Sequence, residues 1–177
     1  MVYRMDKTNI MRNLKIEKVT ANIGVGDAGD NLEKARRLLQ KITGKTPILT
    51  NARARVQVFG IRKGDTIGVK VTMRGSSAED FLKRAFETID SKISRRSFDK
   101  FGNFSFGIKE YIDFPGVRYD PSIGLVGFDV CVTINRPGGR IALRKRKRSD
   151  FPIKQRGTRE ESMAFISKKF GVTILEN

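Results

Sequence analysis

The chain has 177 residues and carries 36 Lys and Arg against 19 Asp and Glu, a net charge of +17 with an isoelectric point near 10.4, the electrostatic footprint of a polyanion binder. It contains no histidine, so the commonest general base and the commonest metal ligand are both missing, and its acids form no pair or ligand spacing that would replace them. A single cysteine excludes a disulfide framework and no apolar run approaches membrane-spanning length, so the expectation is a soluble intracellular protein with one core, no membrane contact, no metal, no cofactor and no catalytic residue.

Residues 1–13 show no period and read as an N-terminal tail. Leu14 to Ile23 reads as a strand with Val19, Ala21 and Ile23 on one face and Thr20 and Asn22 on the other, and a change of parity near Glu17 predicts a bulge. After the turn GVGDAGD, Leu32, Ala35, Leu38, Leu39 and Ile42 recur at helical spacing, with Asp30 as N-cap and Gly44 as the stop. Lys45 to Thr50 makes a short second strand, and Asn51 to Asp65 a long basic excursion. From Thr66 the alternation is clean: Ile67, Val69, Val71 and Met73 form an apolar face, and Thr66, Gly68, Lys70, Thr72 and Arg74 a face of donors and positive charge. Ser76 and Ser77 are expected to cap a second helix whose stripe is Phe81, Leu82, Ala85, Phe86, Ile89 and Ile93. A strand near Phe104 to Glu110 and the loop YIDFPGVRYDPSIGLVG lead to a last strand, where Phe128, Val130, Val132 and Ile134 alternate with Asp129, Cys131, Thr133 and Asn135. Cys131 lies inside this apolar segment and reads as a structural thiol. Thr158 and Glu161 make a capping box for a short final helix docked by Met163, Ile166 and Phe170.

Strands early, in the middle and late, with helices between them, predict an α+β fold: a mostly antiparallel sheet with helices packed on one face. Residues 14–135 form the core domain on this reading, and 136–177 a basic arm with the short helix packed on the core. If the first strand and the alternating strand are neighbours, Thr20, Asn22, Lys70, Thr72 and Arg74 share the open face, a set suited to phosphates, sugars and RNA 2′-hydroxyls. In the long excursion Arg53, Arg55, Arg62 and Lys63 surround Phe59, which suits a loop lying along an RNA backbone with an aromatic ring for an exposed base. The segment Arg136 to Arg159 holds ten basic residues and one acid, with Arg144, Lys145, Arg146, Lys147 and Arg148 consecutive, and reads as an arm that neutralises phosphates. Gly24 to Gly29 satisfies the spacing of a dinucleotide-binding turn, yet Asp27 would face the pyrophosphate, no acid ends the second strand, and the βα alternation does not continue; a tight turn is the reading preferred.

The series VTANIGVGDAGD, ITGKTPILTNARA, FGIRKGDTIGVKVTMRG, SFDKFGNFSFGIKE and FPGVRYDPSIGLVGFDV, in order from about Leu14 to Asn135, resembles the large-subunit ribosomal protein L5 family, and the basic segment with the ending TREESMAFISKKFGV resembles its archaeal and eukaryotic branch. The resemblance implies a structural constituent of the large ribosomal subunit, cytoplasmic, in the central protuberance. It implies that Asn22, Thr72 and Arg74 contact 5S ribosomal RNA. It places Lys45 where the family often has Gln, so a phosphate contact replaces a base-specific amide there. It further implies that the Arg53 to Gly68 loop reaches the elbow of P-site transfer RNA. Tyr111 to Gly127 would face the small-subunit head across an intersubunit bridge, and L18 would be a neighbour on 5S RNA beside the large-subunit RNA. A free RNA-binding regulator is the alternative that the same features allow.

Overall fold

The computed structural model describes residues 9–26 and 29–175. Residues 1–8 of the expected tail, and Asp27 of the glycine turn, lie outside the described residues. The part of that tail that is described is not irregular: Ile10–Arg12 form a 3-10 turn whose cap is Asn9, the side chain accepting from the Met11 amide at 2.9 Å.

Among the described residues seven strands and three α-helices follow in the order β1 Lys15–Gly24, α1 Asp30–Thr43, β2 Ile48–Asn51, β3 Thr66–Met73, α2 Ser76–Thr88, β4 Lys92–Ser94, β5 Phe104–Ile108, β6 Phe128–Asn135, α3 Arg159–Phe170 and β7 Thr173–Leu175. Five of the strands make one antiparallel sheet in the order β2-β3-β1-β6-β5, which is the α+β architecture expected. The parity change in β1 is a true bulge, with the register to β6 slipping between Ile16 and Lys18; the displaced Glu17 carboxylate is held by the Asn135 side-chain amide at 3.1 Å.

Alternation decides which face the helices cover. Val19, Ala21 and Ile23 of β1, Val69, Val71 and Met73 of β3, and Val130, Val132 and Ile134 of β6 are all buried, and α1 lies over β3 while α2 lies over β1. Leu32, Ala35, Leu38, Leu39 and Ile42 close that layer from α1, and Phe81, Leu82, Ala85 and Phe86 from α2. An aromatic cluster extends the core toward β5: Phe86 packs against Phe106 and edge-on to Phe170 at centroid distances of 5.7 and 5.2 Å, and Phe98 stacks on Phe104 at 4.9 Å. The final helix has the capping box read from its sequence, and Ile166 on its inner face is fully buried.

Three local expectations are corrected. The N-cap of α1 is Gly29 and not Asp30, and that of α2 is Gly75 rather than Ser76 or Ser77; neither glycine offers a side-chain cap, so Asp30 acts inside the first turn, where its charge suits the helix dipole. The second helix stops before Ile93, because Asp90 and Ser91 both take left-handed backbone at φ 53° and 54°, and Ile93 instead lies in β4, which pairs in parallel with β7. Cys131 is exposed, since its parity puts it on the uncovered face of β6.

Candidate nucleic-acid interface

The uncovered face is defined by the register. One rung runs Ile48, Lys70, Asn22, Asp129, Gly107 across all five strands, and the next runs Thr72, Thr20, Cys131, Ser105. A third pairs Lys18 with Thr133. Apart from Ile48 this is a surface of hydroxyls, amides, a thiol, lysines and one acid, with small side chains over its centre, so a backbone or a ribose can approach it closely. Thr20, Asn22, Lys70 and Thr72 are brought together as the sequence predicts, because β1 and β3 are neighbours.

Arg74 continues the exposed parity of β3 at the end where α2 begins, and Lys45, just after α1, is tied to it through the first turn of α2. The Lys45 ammonium donates to the Ser77 hydroxyl at 2.8 Å, and that hydroxyl donates to the Arg74 carbonyl at 3.1 Å. Ser77, expected as a cap, is therefore the clamp between two basic residues of the site. Lys45 forms no ion pair among the described residues, so its charge is fixed in place without being neutralised.

The excursion from Asn51 to Asp65 is a built hairpin at the opposite end of β3. Val56 and Ile61 exchange both backbone hydrogen bonds, at 3.0 and 3.1 Å, Gln57–Phe59 make a 3-10 turn at the tip, and Gly60 closes it at φ 67°. At the base Ala52 and Asp65 are bonded to each other's strand, and the Asp65 carboxylate accepts from the Arg62 amide at 2.7 Å. Arg53, Arg55, Arg62 and Lys63 are all exposed, and the tip presents Phe59 at 75% and Val58 at 88% exposure. Val58 was not singled out from the sequence, although its apolar character at a turn flanked by arginines carried the same signal as Phe59.

The basic segment after β6 is clamped rather than free. At its start Arg136 makes a two-pronged ion pair with Glu161, both bonds 2.7 Å, and near its end the Arg156 guanidinium stacks over the Phe101 ring at 4.9 Å. Between these anchors Arg144 to Arg148 are all exposed, and the Arg144 side chain donates to the Lys147 carbonyl at 2.7 Å. The run thus folds back on itself as an exposed basic loop.

The loop between β5 and β6 is pinned from within. Tyr111 is fully buried and its hydroxyl accepts from the Asp120 amide at 2.9 Å, while Phe114 and Ile123 are buried beside it. Hydrogen bonds from the Ser122 hydroxyl and amide, and then Lys41 at 3.6 Å, hold the Asp120 carboxyl below its usual range. The pinned loop leaves Leu125 and Tyr119 exposed at 65% and 54%.

Two features of the sequence take on a different meaning here. The amides of Val25 and Gly26 both donate to the Ile67 carbonyl at 2.9 Å, which spends the donors that a phosphate-cradling turn needs and makes the glycine turn a stitch between β1 and β3. The Cys131 thiol is pushed above its ordinary pKa by partial desolvation and by the neighbouring Asp129 carboxylate, so it stays protonated and poorly nucleophilic at neutral pH. Asp129, Cys131, Ser105, Thr133 and Lys18 were not recognised from the sequence as part of this face. The alternation of Asp129, Cys131 and Thr133 is legible in the sequence, but the pairing of β6 with β1 that places them on this face is not, nor is the pairing of β5 with β6 that adds Ser105; Lys18 is separated from the predicted parity by the bulge.

Comparison with known proteins gives two family models that match in tandem, ribosomal protein L5 over residues 9–62 and the C-terminus of the same ribosomal family over residues 66–165. The chain is 50% identical over 169 residues to the large ribosomal subunit protein uL5 of Sulfurisphaera tokodaii, covering 95% of this chain and 96% of that one. It is 47% identical over 170 residues to the protein of the same name from Sulfolobus acidocaldarius, covering 96% of each. To that from Methanococcus vannielii it is also 47% identical over 170 residues, covering 93% of each.

Proposed function

The chain belongs to the ribosomal protein L5 family, and from that premise we propose that its uncovered sheet face docks 5S ribosomal RNA while its hairpin contacts transfer RNA. As a family member it is a structural, non-catalytic constituent of the large ribosomal subunit. The observation that carries the docking proposal is the composition of the face itself: Thr20, Asn22, Lys70 and Thr72 in register on adjacent strands, with Lys45 and Arg74 at one end. Threonine and asparagine supply both donors and acceptors for ribose 2′-hydroxyls and base edges, and the basic groups hold the flanking phosphates. The clamped loop Arg144 to Arg148 adds phosphate contacts to neighbouring large-subunit RNA, a role that fits its exposure and charge.

The hairpin projects from the other end of β3, so its arginines and its Phe59 and Val58 tip can meet a second RNA while the sheet holds the first. P-site transfer RNA is the partner proposed, its elbow offering phosphates to Arg53, Arg55, Arg62 and Lys63 and an exposed base to Phe59. The pinned loop from Tyr111 to Gly127 presents Tyr119 and Leu125 to a protein of the small-subunit head, and L18 is the proposed neighbour on 5S RNA in the central protuberance.

A variant with Arg62→Ala and Lys63→Ala separates the two surfaces. The Arg62 amide keeps its bond to Asp65, so the hairpin remains folded. Binding of 5S RNA is expected to stay unchanged, and crosslinking to the transfer RNA elbow in assembled ribosomes to fall by about threefold or more. Unchanged crosslinking would remove the hairpin from the proposal; an equal loss of 5S binding would merge the two surfaces into one.

A further inference from the structure

The central rung of the open face carries a negative charge. Asp129 stands opposite Asn22 on β1 and opposite Gly107 on the edge strand β5, exposed, in a rung whose other charged residue, Lys70, is basic. A carboxylate in that place repels every phosphate brought near it, and on a surface that gathers backbone charge alone it would only weaken binding.

Its surroundings give it no structural employment. Glu17 is held by Asn135, Asp65 by the Arg62 amide and Asp120 by Ser122 and Lys41, but the Asp129 carboxylate has neither hydrogen bond nor ion pair among the described residues. It leans across β5: its Oδ1 lies 3.4 Å from the point that a β-carbon on Gly107 would occupy. The missing side chain at Gly107 leaves the carboxylate uncovered on that side, and the next rung offers only the small groups of Cys131 and Ser105. The result is an uncompensated acceptor on an open part of the face, two strands away from Lys70 in its own rung.

We propose that Asp129 is a specificity-determining residue of this face: its carboxylate accepts hydrogen bonds from uncharged donors of the bound RNA, and the same charge turns away phosphates presented in any other register. The donors are of one chemistry and two sources, a ribose 2′-hydroxyl or the amino and imino groups of a base edge. This rests on the reading that the sheet docks RNA. Lys70, Asn22 and Asp129 in one rung then read in sequence as a phosphate site, a two-way hydrogen-bonding site and an acceptor-only site, a pattern with direction that plain positive charge lacks.

The test is Asp129→Asn in the full chain, which keeps the shape and removes the charge and half of the accepting capacity. Binding is titrated against 5S RNA and a length-matched control RNA over a series of salt concentrations. The variant is expected to bind the control RNA more tightly than the native chain does, and to lose about tenfold of its preference for 5S RNA. Asp129→Glu, which retains an acceptor, should restore part of that preference. Single 2′-deoxy substitutions, and inosine or purine replacements that delete one base donor, then locate the partner: one of them should cost the native chain affinity and cost Asp129→Asn nothing. Equal tightening for both RNAs with the preference intact would overturn the inference, leaving Asp129 a simple repulsion. So would a set of donor deletions in which none distinguishes the two proteins. A native chain with no preference for 5S RNA at all would instead overturn the docking proposal beneath it.

Discussion

Reversing charge at both Lys70 and Arg74, to Glu in each case, is expected to lower affinity for 5S RNA by about 100-fold near physiological salt, because two attractions are lost and two repulsions gained on one face. Both side chains are exposed and neither forms an ion pair among the described residues, so the melt should move by no more than about 0.5 kcal/mol in stability. Affinity alone would not locate the effect, since any protein of charge +17 loses RNA binding when positive charge is removed. The salt dependence does. Removing two phosphate contacts should reduce the slope of log affinity against log salt by about 1.5. Reversing two residues of the exposed loop Arg144 to Arg148 should change that slope alike for 5S and control RNA, whereas the Lys70 and Arg74 variant should lose the discrimination between them. A parallel fall in thermal stability would make these residues structural and withdraw them from the interface.

The second large effect concerns the fold. Substituting alanine at Gly102 is expected to destabilise the protein by about 3 kcal/mol, from a strained backbone and an overpacked contact together. Gly102 has φ 78°, and an added β-carbon would lie 1.9 Å from the Ser162 Oγ, 2.5 Å from the Ser162 Cβ and 2.9 Å from the Thr158 carbonyl. Rotation of Ser162 relieves only the first of these, because its β-carbon and the Thr158 carbonyl belong to the first turn of α3. The melting temperature should fall by about 10 °C for a chain of this size. Alanine at Gly60, which also has positive φ but open space around it, should cost only the backbone part. An unchanged melt for Gly102→Ala would mean that α3 is not seated against the turn at residues 99–103. Well below the transition the variant should still bind 5S RNA, since α3 covers none of the open rungs.

Both predictions depend on features that differ in how far the sequence discloses them. Local periodicity was enough for β1 with its bulge, for β3, for the stripes of α1 and α2 and for the capping box of α3, because each is a pattern of neighbours along the chain. What periodicity does not carry is pairing. The half of the open face on β3 was legible from Lys70, Thr72 and Arg74. The half on β6 depended on a return of the chain to the far edge of β1, more than a hundred residues later, which left Asp129 and Cys131 unassigned. The misplaced caps have a related cause: a serine before an apolar stripe satisfies the usual capping rule, but at Ser77 the hydroxyl is taken by Lys45 and the Arg74 carbonyl, and Gly75 does the turning. Ile93 fits a helical stripe on spacing alone, and only the left-handed pair Asp90 and Ser91 moves it into a strand. The basic hairpin was visible as composition and not as structure, since the Val56 and Ile61 bridge is a backbone pairing with no strong side-chain signature.

The single cysteine supplies a direct probe of the central claim. Cys131 lies in the second rung, between Thr20 and Ser105, and no other thiol competes for label. With its pKa raised, the free protein should react with maleimide more slowly than a simple thiol at neutral pH and catch up as pH rises, because the thiolate is the reacting form. The decisive measurement is the rate of Cys131 alkylation in the free protein, with saturating 5S RNA, and with a length-matched control RNA at the same salt. Docking on the open face predicts that 5S RNA suppresses the reaction while the control does not once salt is high enough to weaken non-specific binding. Alkylation at the free rate in a saturated 5S complex would place the RNA elsewhere on the protein and contradict the account.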